Sequence, residues 1–192
     1  MLSEETRERI LGYLPRYRTK RAAILPALWA AQDELGWLNA EAYEEVGELL
    51  DMHPTDVAAI ASFYTMFHKQ PMGKHVIEVC SNLSCELRGA SEILKHLRHE
   101  LGIQDGQTTE DGKFSLRHQE CPCYCEFAPV MQINTETYGN VTPELIDRIL
   151  ADLRAGRSAL DGAVHGPDSA ARAAKVPLDE GGGEEQAEHA DV

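Results

Sequence analysis

No apolar run in the 192-residue sequence approaches the roughly 18 residues that a membrane-spanning helix requires. The opening segment, MLSEETRERI, is charged and lacks the apolar stretch of a secretory signal. Basic residues are scarce, with 18 Lys and Arg against 32 Asp and Glu. The formal charge of −14 argues against nucleic acid as a partner, because backbone phosphates would repel the chain. Neither GxGxxG nor GxxxxGKS/T occurs, so no nucleotide cradle is expected. No histidines are paired at metal-ligand spacing, and no Ser/His/Asp set or carboxylate pair stands out. No catalytic residue is therefore assigned. These absences predict a cytoplasmic protein that meets a membrane only through partners, without inserting into it.

A hydrophobic share of 43% and a charged share of 26% are those of a globular chain able to build its own core. Five cysteines are present, an odd number, and they are clustered. In a reducing compartment such clusters bind metal or carry out redox chemistry more often than they form a disulfide framework.

The first 70 residues read as four short amphipathic helices forming a bundle, residues 1–70. The first is expected over Glu4 to Leu14, stopped by Pro15. The second carries Ile24, Leu28, Ala31 and Leu35 and ends near Gly36, and the third covers Ala40 to Leu50. The fourth opens at His53-Pro54 and sets Val57, Ile60, Ala61, Tyr64 and Phe67 at helical spacing. Phe63, Tyr64 and Phe67 read as a core stripe, and Trp29 and Trp37 as core or interface. After Gln70 the pattern changes to a second domain, residues 71–160. Strands are expected at His75–Val79, Phe114–His118 and Val130–Asn134, and a hairpin turn at Glu136–Asn140. One helix carries Ile93, Leu94, Leu97 and Leu101, and another is capped by Thr142 with Pro143 in its first turn. The segment 161–192, rich in Ala, Gly, Asp and Glu, has no apolar period and reads as a disordered acidic tail.

Both cysteine groups follow expected strands, which places them in loops at the end of a sheet. Cys80 and Cys85 form C-x4-C in CSNLSC, and Cys121, Cys123 and Cys125 crowd into ECPCYCEFAP. Structural zinc sites favour the tighter C-x2-C knuckle. The wider gaps suit a larger object such as an iron–sulfur rhomb, though spacing alone leaves zinc open. A Rieske centre is disfavoured, because His118 has no histidine counterpart near Cys80.

VCSNLSCELRG, followed by QECPCYCEFAPVMQINTETYGNVTPE and preceded by SFYTMFHKQPMGKHVIEVC, resembles the small [2Fe–2S] subunit of NADH-quinone oxidoreductase (respiratory complex I). The likeness covers about residues 5 to 155. It implies an α+β chain in which an N-terminal helical bundle precedes a thioredoxin-like [2Fe–2S] ferredoxin domain. It implies one [2Fe–2S] cluster on Cys80, Cys85, Cys121 and Cys125, with Cys123 a non-ligand. It also implies an electron-transfer role within an oxidoreductase complex, without catalysis by this chain alone. The expected partners are a flavoprotein subunit that holds FMN and NADH, and the large iron–sulfur subunit of the peripheral arm. The whole is expected on the cytoplasmic side of the inner (plasma) membrane.

One departure from the family pattern stands out. Where the family has Leu-Gly-Ala or similar between the last two ligands, this chain has Pro122-Cys123-Tyr124. A glycine there would suit a loop with positive φ. Pro122 removes one backbone donor, so the potential is expected to differ from that of a glycine-containing relative.

Three other readings compete. The first is the equivalent diaphorase subunit of a NAD-dependent hydrogenase or formate dehydrogenase. The second is a zinc-stabilised interaction domain. The third is a thiol–disulfide oxidoreductase, which lacks the expected C-x-x-C.

Overall fold

The computed structural model describes residues 1–158, so the acidic tail expected at 161–192 lies outside the described residues. The chain divides into two compact units. One comprises Met1–Ile77 with Arg98–Arg117, and the other Glu78–Leu97 with the chain from His118 on.

The first unit opens with four helices: α1 (Glu4–Leu11), α2 (Ile24–Leu35), α3 (Ala40–Leu50) and α4 (Pro54–Phe63). Side-chain caps set their starts. Ser3 accepts from the Thr6 N–H, Asn39 from Ala42 and His53 from Thr55. Gly36, at φ 77, ends α2 in the left-handed conformation that a residue without Cβ adopts freely. Ile10, Leu28, Leu38, Val46, Leu50, Val57 and Phe67 make the common core, each no more than 1% exposed.

The buried side chain of Gln32 ties the segment after α4 to this bundle. Its Nε2 donates to the Met66 carbonyl at 3.0 Å, and its Oε1 accepts from the His68 N–H at 2.6 Å. Further along the same unit, Gly73 passes so close to the chain that a Cβ would sit 2.8 Å from the Phe114 carbonyl carbon. Its N–H donates to Oγ of buried Ser115 at 2.7 Å, which fixes that approach.

Two expectations are corrected here. The first helix stops at Leu11, not Leu14. Tyr13 bonds back to the Ile10 carbonyl in a tightened turn, and Pro15 lies in a separate 3₁₀ turn, Leu14–Arg16. The aromatic stripe also breaks. Tyr64 is extended (φ −94, ψ 118), so Phe67 reaches the core through a turn while Phe63 is 78% exposed. Phe63 lies two residues past buried Ala61, which puts it on the opposite face of α4.

Strands β1 (His75–Cys80), β2 (Phe114–Gln119), β3 (Met131–Ile133) and β4 (Glu136–Tyr138) form one sheet in the order β2-β1-β3-β4. Strand β4 takes up most of the segment expected as a turn, Glu136–Asn140. It pairs antiparallel with β3 in the register Met131↔Tyr138, Gln132↔Thr137, Ile133↔Glu136, so the turn is Asn134-Thr135, with Asn134 at φ 55.

The second unit also holds α5 (Leu83–Leu87), most of α6 (Ala90–Leu101) and α7 (Pro143–Arg154). Helix α5 has no counterpart among the elements expected from sequence. Thr142 caps α7 by accepting from the Leu145 N–H, and Leu145, Ile146, Ile149 and Leu150 are buried, as expected. Among the described residues, no helix is long and apolar enough to cross a membrane.

Candidate metal centre

The first cysteine loop grows out of β1. Cys80 is the last residue of that strand and fully buried, its N–H held by the Val130 carbonyl at 3.0 Å. The chain then turns at Asn82, whose side chain caps α5 by accepting from Leu83 at 2.9 Å. One turn of helix carries Cys85 back inward, where it is 2% exposed. The wider C-x4-C gap thus accommodates a capped helical turn. The opposite face of α5 presents Leu83 and Leu87 to solvent, 70% and 79% exposed.

The second loop follows β2. Ser81 N–H meets the Gln119 carbonyl at 3.4 Å, and Asn82 Nδ2 reaches Glu120 Oε2 at 3.4 Å, so the two loops are bonded to one another. Cys125 starts a 3₁₀ turn, Cys125–Phe127. That turn is held from behind by Asn140, whose N–H donates to the Phe127 carbonyl at 2.6 Å.

Cys123 lies between these ligand candidates at φ 67, the left-handed conformation for which the sequence pattern favours glycine. Holding a side chain there costs about 1 kcal/mol or more. The Cys123 N–H donates to Cys121 Sγ at 3.3 Å. Its own exposed thiol lies 3.9 Å from the Cys121 carbonyl oxygen.

The four expected ligand sulfurs come together as a string. The Cys80 thiol meets those of Cys85 and Cys121, and Cys121 Sγ is 3.3 Å from Cys125 Sγ. Cys80 and Cys85 pack with buried Ala90, Ala128 and Val130 in one apolar cluster, with Cys121, Tyr124 and Phe127 against it.

Burial pushes the Cys80 thiol up to about 12, with the Asn82 N–H opposing. Cys121 is lowered, first by the Cys123 N–H and then by the Cys125 thiol. Cys125 is raised, first by the Cys121 thiol. A thiolate at the Cys80 position therefore needs a nearby positive centre, which a metal group supplies by replacing the proton.

The donor set fits an iron–sulfur rhomb better than a single ion. A zinc ion with Zn–S bonds of about 2.3 Å brings all four sulfurs to about 3.8 Å from one another. Among the described residues, no three of these sulfurs lie within 4.8 Å of one another.

Sequence reasoning missed Asn82 as the residue that both caps α5 and ties the loops, and Ser84, whose hydroxyl hydrogen-bonds the Cys125 thiol. The Asn directly before Leu83 was the available signal, since asparagine is a favoured N-cap.

A family profile described as thioredoxin-like [2Fe–2S] ferredoxin matches residues 10–154. The chain is 42% identical over 149 residues to an NADH-quinone oxidoreductase E-type subunit (the one numbered 2) of Rhizobium meliloti, covering 78% of this chain and 89% of that one. It is 44% identical over 139 residues to NADH-quinone oxidoreductase subunit 2 of Thermus thermophilus, covering 72% of this chain and 77% of that one. Among solved structures, it superposes on NAD+-reducing [NiFe]-hydrogenase in the H2-reduced state with a TM-score of 0.68 and 25% identity. That match covers 79% of this chain and 27% of the hydrogenase chain, so the chain spans about a quarter of it.

Proposed function

Since this chain belongs to the thioredoxin-like [2Fe–2S] ferredoxin family, we propose that Cys80, Cys85, Cys121 and Cys125 hold one [2Fe–2S] cluster in an electron-transfer subunit of an NADH-quinone oxidoreductase. The observation that carries the ligand assignment is the string of four sulfurs from two cross-bonded loops. The relatives in Rhizobium meliloti and Thermus thermophilus support the choice of complex.

When bound, the cluster supplies a one-electron site. The chain's own residues do the rest. Cys80 and Cys85 anchor it from the buried side, and Asn82 and Glu120 hold the loops in register. The Cys123 N–H meets a ligand sulfur.

The proposal extends to the partners. FMN and NADH sit on a flavoprotein subunit that trades electrons with this chain, and the large iron–sulfur subunit of the peripheral arm lies nearby. The complex places the chain on the cytoplasmic side of the inner (plasma) membrane. The helical part, 1–70, and the ferredoxin part, 71–160, act as successive domains. The exposed pair Leu83 and Leu87, on the helix that carries Cys85, offers the flavoprotein an apolar contact close to the ligands.

Anaerobic purification with iron, sulfide and zinc analysis and EPR tests the reading. Two irons and two sulfides per chain, with a reducible signal, are expected; one zinc and no colour would sink it.

The hydrogenase likeness supports a second reading, the equivalent subunit of a NAD-dependent hydrogenase. A hydrogenase subunit co-purifying with the chain would favour that reading over the first.

A further inference from the structure

Residue 123 lies between two proposed ligands without being one of them, yet its backbone donates directly to a ligand sulfur. The Cys123 amide meets Cys121 Sγ at 3.3 Å, and it does so from φ 67. That torsion turns the chain back towards Cys125 directly after the peptide whose N–H meets the Cys121 sulfur, so the reversal and the contact share residue 123. The preceding residue, Pro122, has no N–H to offer. Two donors after it are committed elsewhere: Phe127 to the Tyr124 carbonyl at 3.0 Å and Ala128 to the Cys125 carbonyl at 3.2 Å. The Cys123 thiol, by contrast, leans back over its own backbone towards the Cys121 carbonyl.

We propose that residue 123 is a positioning residue for the cluster's potential, acting through its backbone N–H on the Cys121 sulfur and not through its thiol. The inference rests on the ligand assignment proposed above. A hydrogen bond to a ligand sulfur withdraws electron density from it and favours the reduced, more negative state, so the contact raises the potential. What position 123 requires is tolerance of the left-handed conformation. Glycine meets that requirement better than cysteine, and a β-branched residue meets it poorly.

The test uses the full chain loaded with its cluster and reduced, with cysteine alone labelled with ¹⁵N, and reads pulsed EPR and the reduction potential. Beside the couplings of the labelled ligand cysteines, the wild type is expected to show one more ¹⁵N coupling, from the amide of residue 123, that disappears in Cys123→Gly, which carries no label at that position. The Cys123→Gly potential is expected to match the wild type, while Cys123→Val shifts it downward. A labelled-coupling spectrum that is the same in Cys123→Gly as in the wild type comes from the ligand cysteines alone and overturns the proposal, as does a cluster signal without any labelled coupling. A potential that moves equally in the Gly and Val variants assigns the effect to the thiol and overturns it too. If Cys123→Val fails to load, the coupling in the wild type and in Cys123→Gly still decides. A chain that gives no cluster signal at all defeats the proposed function along with this inference. A loaded chain that fails the labelling test defeats the inference alone.

Discussion

Cys121 Sγ and Cys125 Sγ lie 3.3 Å apart although three residues separate them, because the chain reverses through the left-handed Cys123 between them. The C-x3-C spacing is therefore a closed loop that brings two sulfurs to one point, and the third cysteine stands on its outer rim. From this follows a division of labour among five thiols that a substitution series can read.

Replacing Cys80, Cys85, Cys121 or Cys125 by Ser one at a time is expected to abolish or severely reduce cluster content, measured as iron, sulfide and visible absorbance per chain. Cys123→Ser is expected to retain it. Loss of the cluster in Cys123→Ser together with its retention in Cys121→Ser or Cys125→Ser would show that the wrong sulfur was left out.

Spacing marks the two cysteine loops after two strands, but only the family resemblance separates Cys123 from the four proposed ligands whose thiols the fold brings together. The bounds of α3 were legible for a similar local reason: Asn39 caps its start, and the apolar period runs unbroken to Leu50. Features without a period were not legible. Helix α5 has five residues and strand β4 three, too few for a helical or alternating pattern to show. Phe63 reads as core in sequence because Tyr64 and Phe67 after it look like a continuation of the same helix, while the backbone turns extended at Tyr64. The positive φ of Cys123 could be suspected only through the family's glycine, since cysteine itself carries no such preference.

Pro122 is a separate question from Cys123. If the Cys123 N–H sets the potential, Cys123→Gly alone leaves it unchanged, whereas Pro122→Leu/Cys123→Gly restores a donor at position 122. The double variant is expected to have a higher potential than the single one, by redox titration of the EPR signal. Equal potentials in both would show that the donor missing at Pro122 does not face the cluster.

Leu83 and Leu87 are one helical turn apart on the solvent face of α5. Burying two such side chains against a partner contributes about 1.5–3 kcal/mol each when fully covered. Leu83→Asp/Leu87→Asp is therefore expected to weaken binding to the flavoprotein subunit by about tenfold or more. Cluster content should stay at the wild-type level, because Cys85 faces the other way. Calorimetric titration with the isolated flavoprotein measures the affinity; unchanged binding would remove α5 from the interface.

Gln32 offers a stability test away from the cysteines. Its amide satisfies the Met66 carbonyl and the His68 N–H from within the bundle. Gln32→Leu fills a similar volume but strands both backbone groups, each at a cost of about 1–3 kcal/mol. A fall in unfolding free energy of about 2–4 kcal/mol is expected by urea denaturation, given partial rescue by water. A neutral result would mean that the segment after α4 is not held through this side chain.

The pH dependence of stability has a specific contributor in His68. Burial, and secondarily the charge of Arg117, hold its pKa down to about 4. Arg117 Nη1 lies 3.0 Å from His68 Nδ1, an arrangement that suits the neutral ring, with Arg117 as donor. In the unfolded chain the ring titrates near 6.5. Between these values the unfolded state binds more protons than the folded one, so stability rises with pH. The contribution is fully present above about 6.5, is lost as pH falls, and is gone below about 4. Because the ring is only partly buried, screening reduces its size to about 1–2 kcal/mol. In His68→Gln, which keeps a polar side chain beside Arg117 without a titrating ring, the slope of unfolding free energy between pH 6.5 and 4 should flatten by that amount. An identical slope in the variant and the wild type would assign the acid sensitivity to other groups.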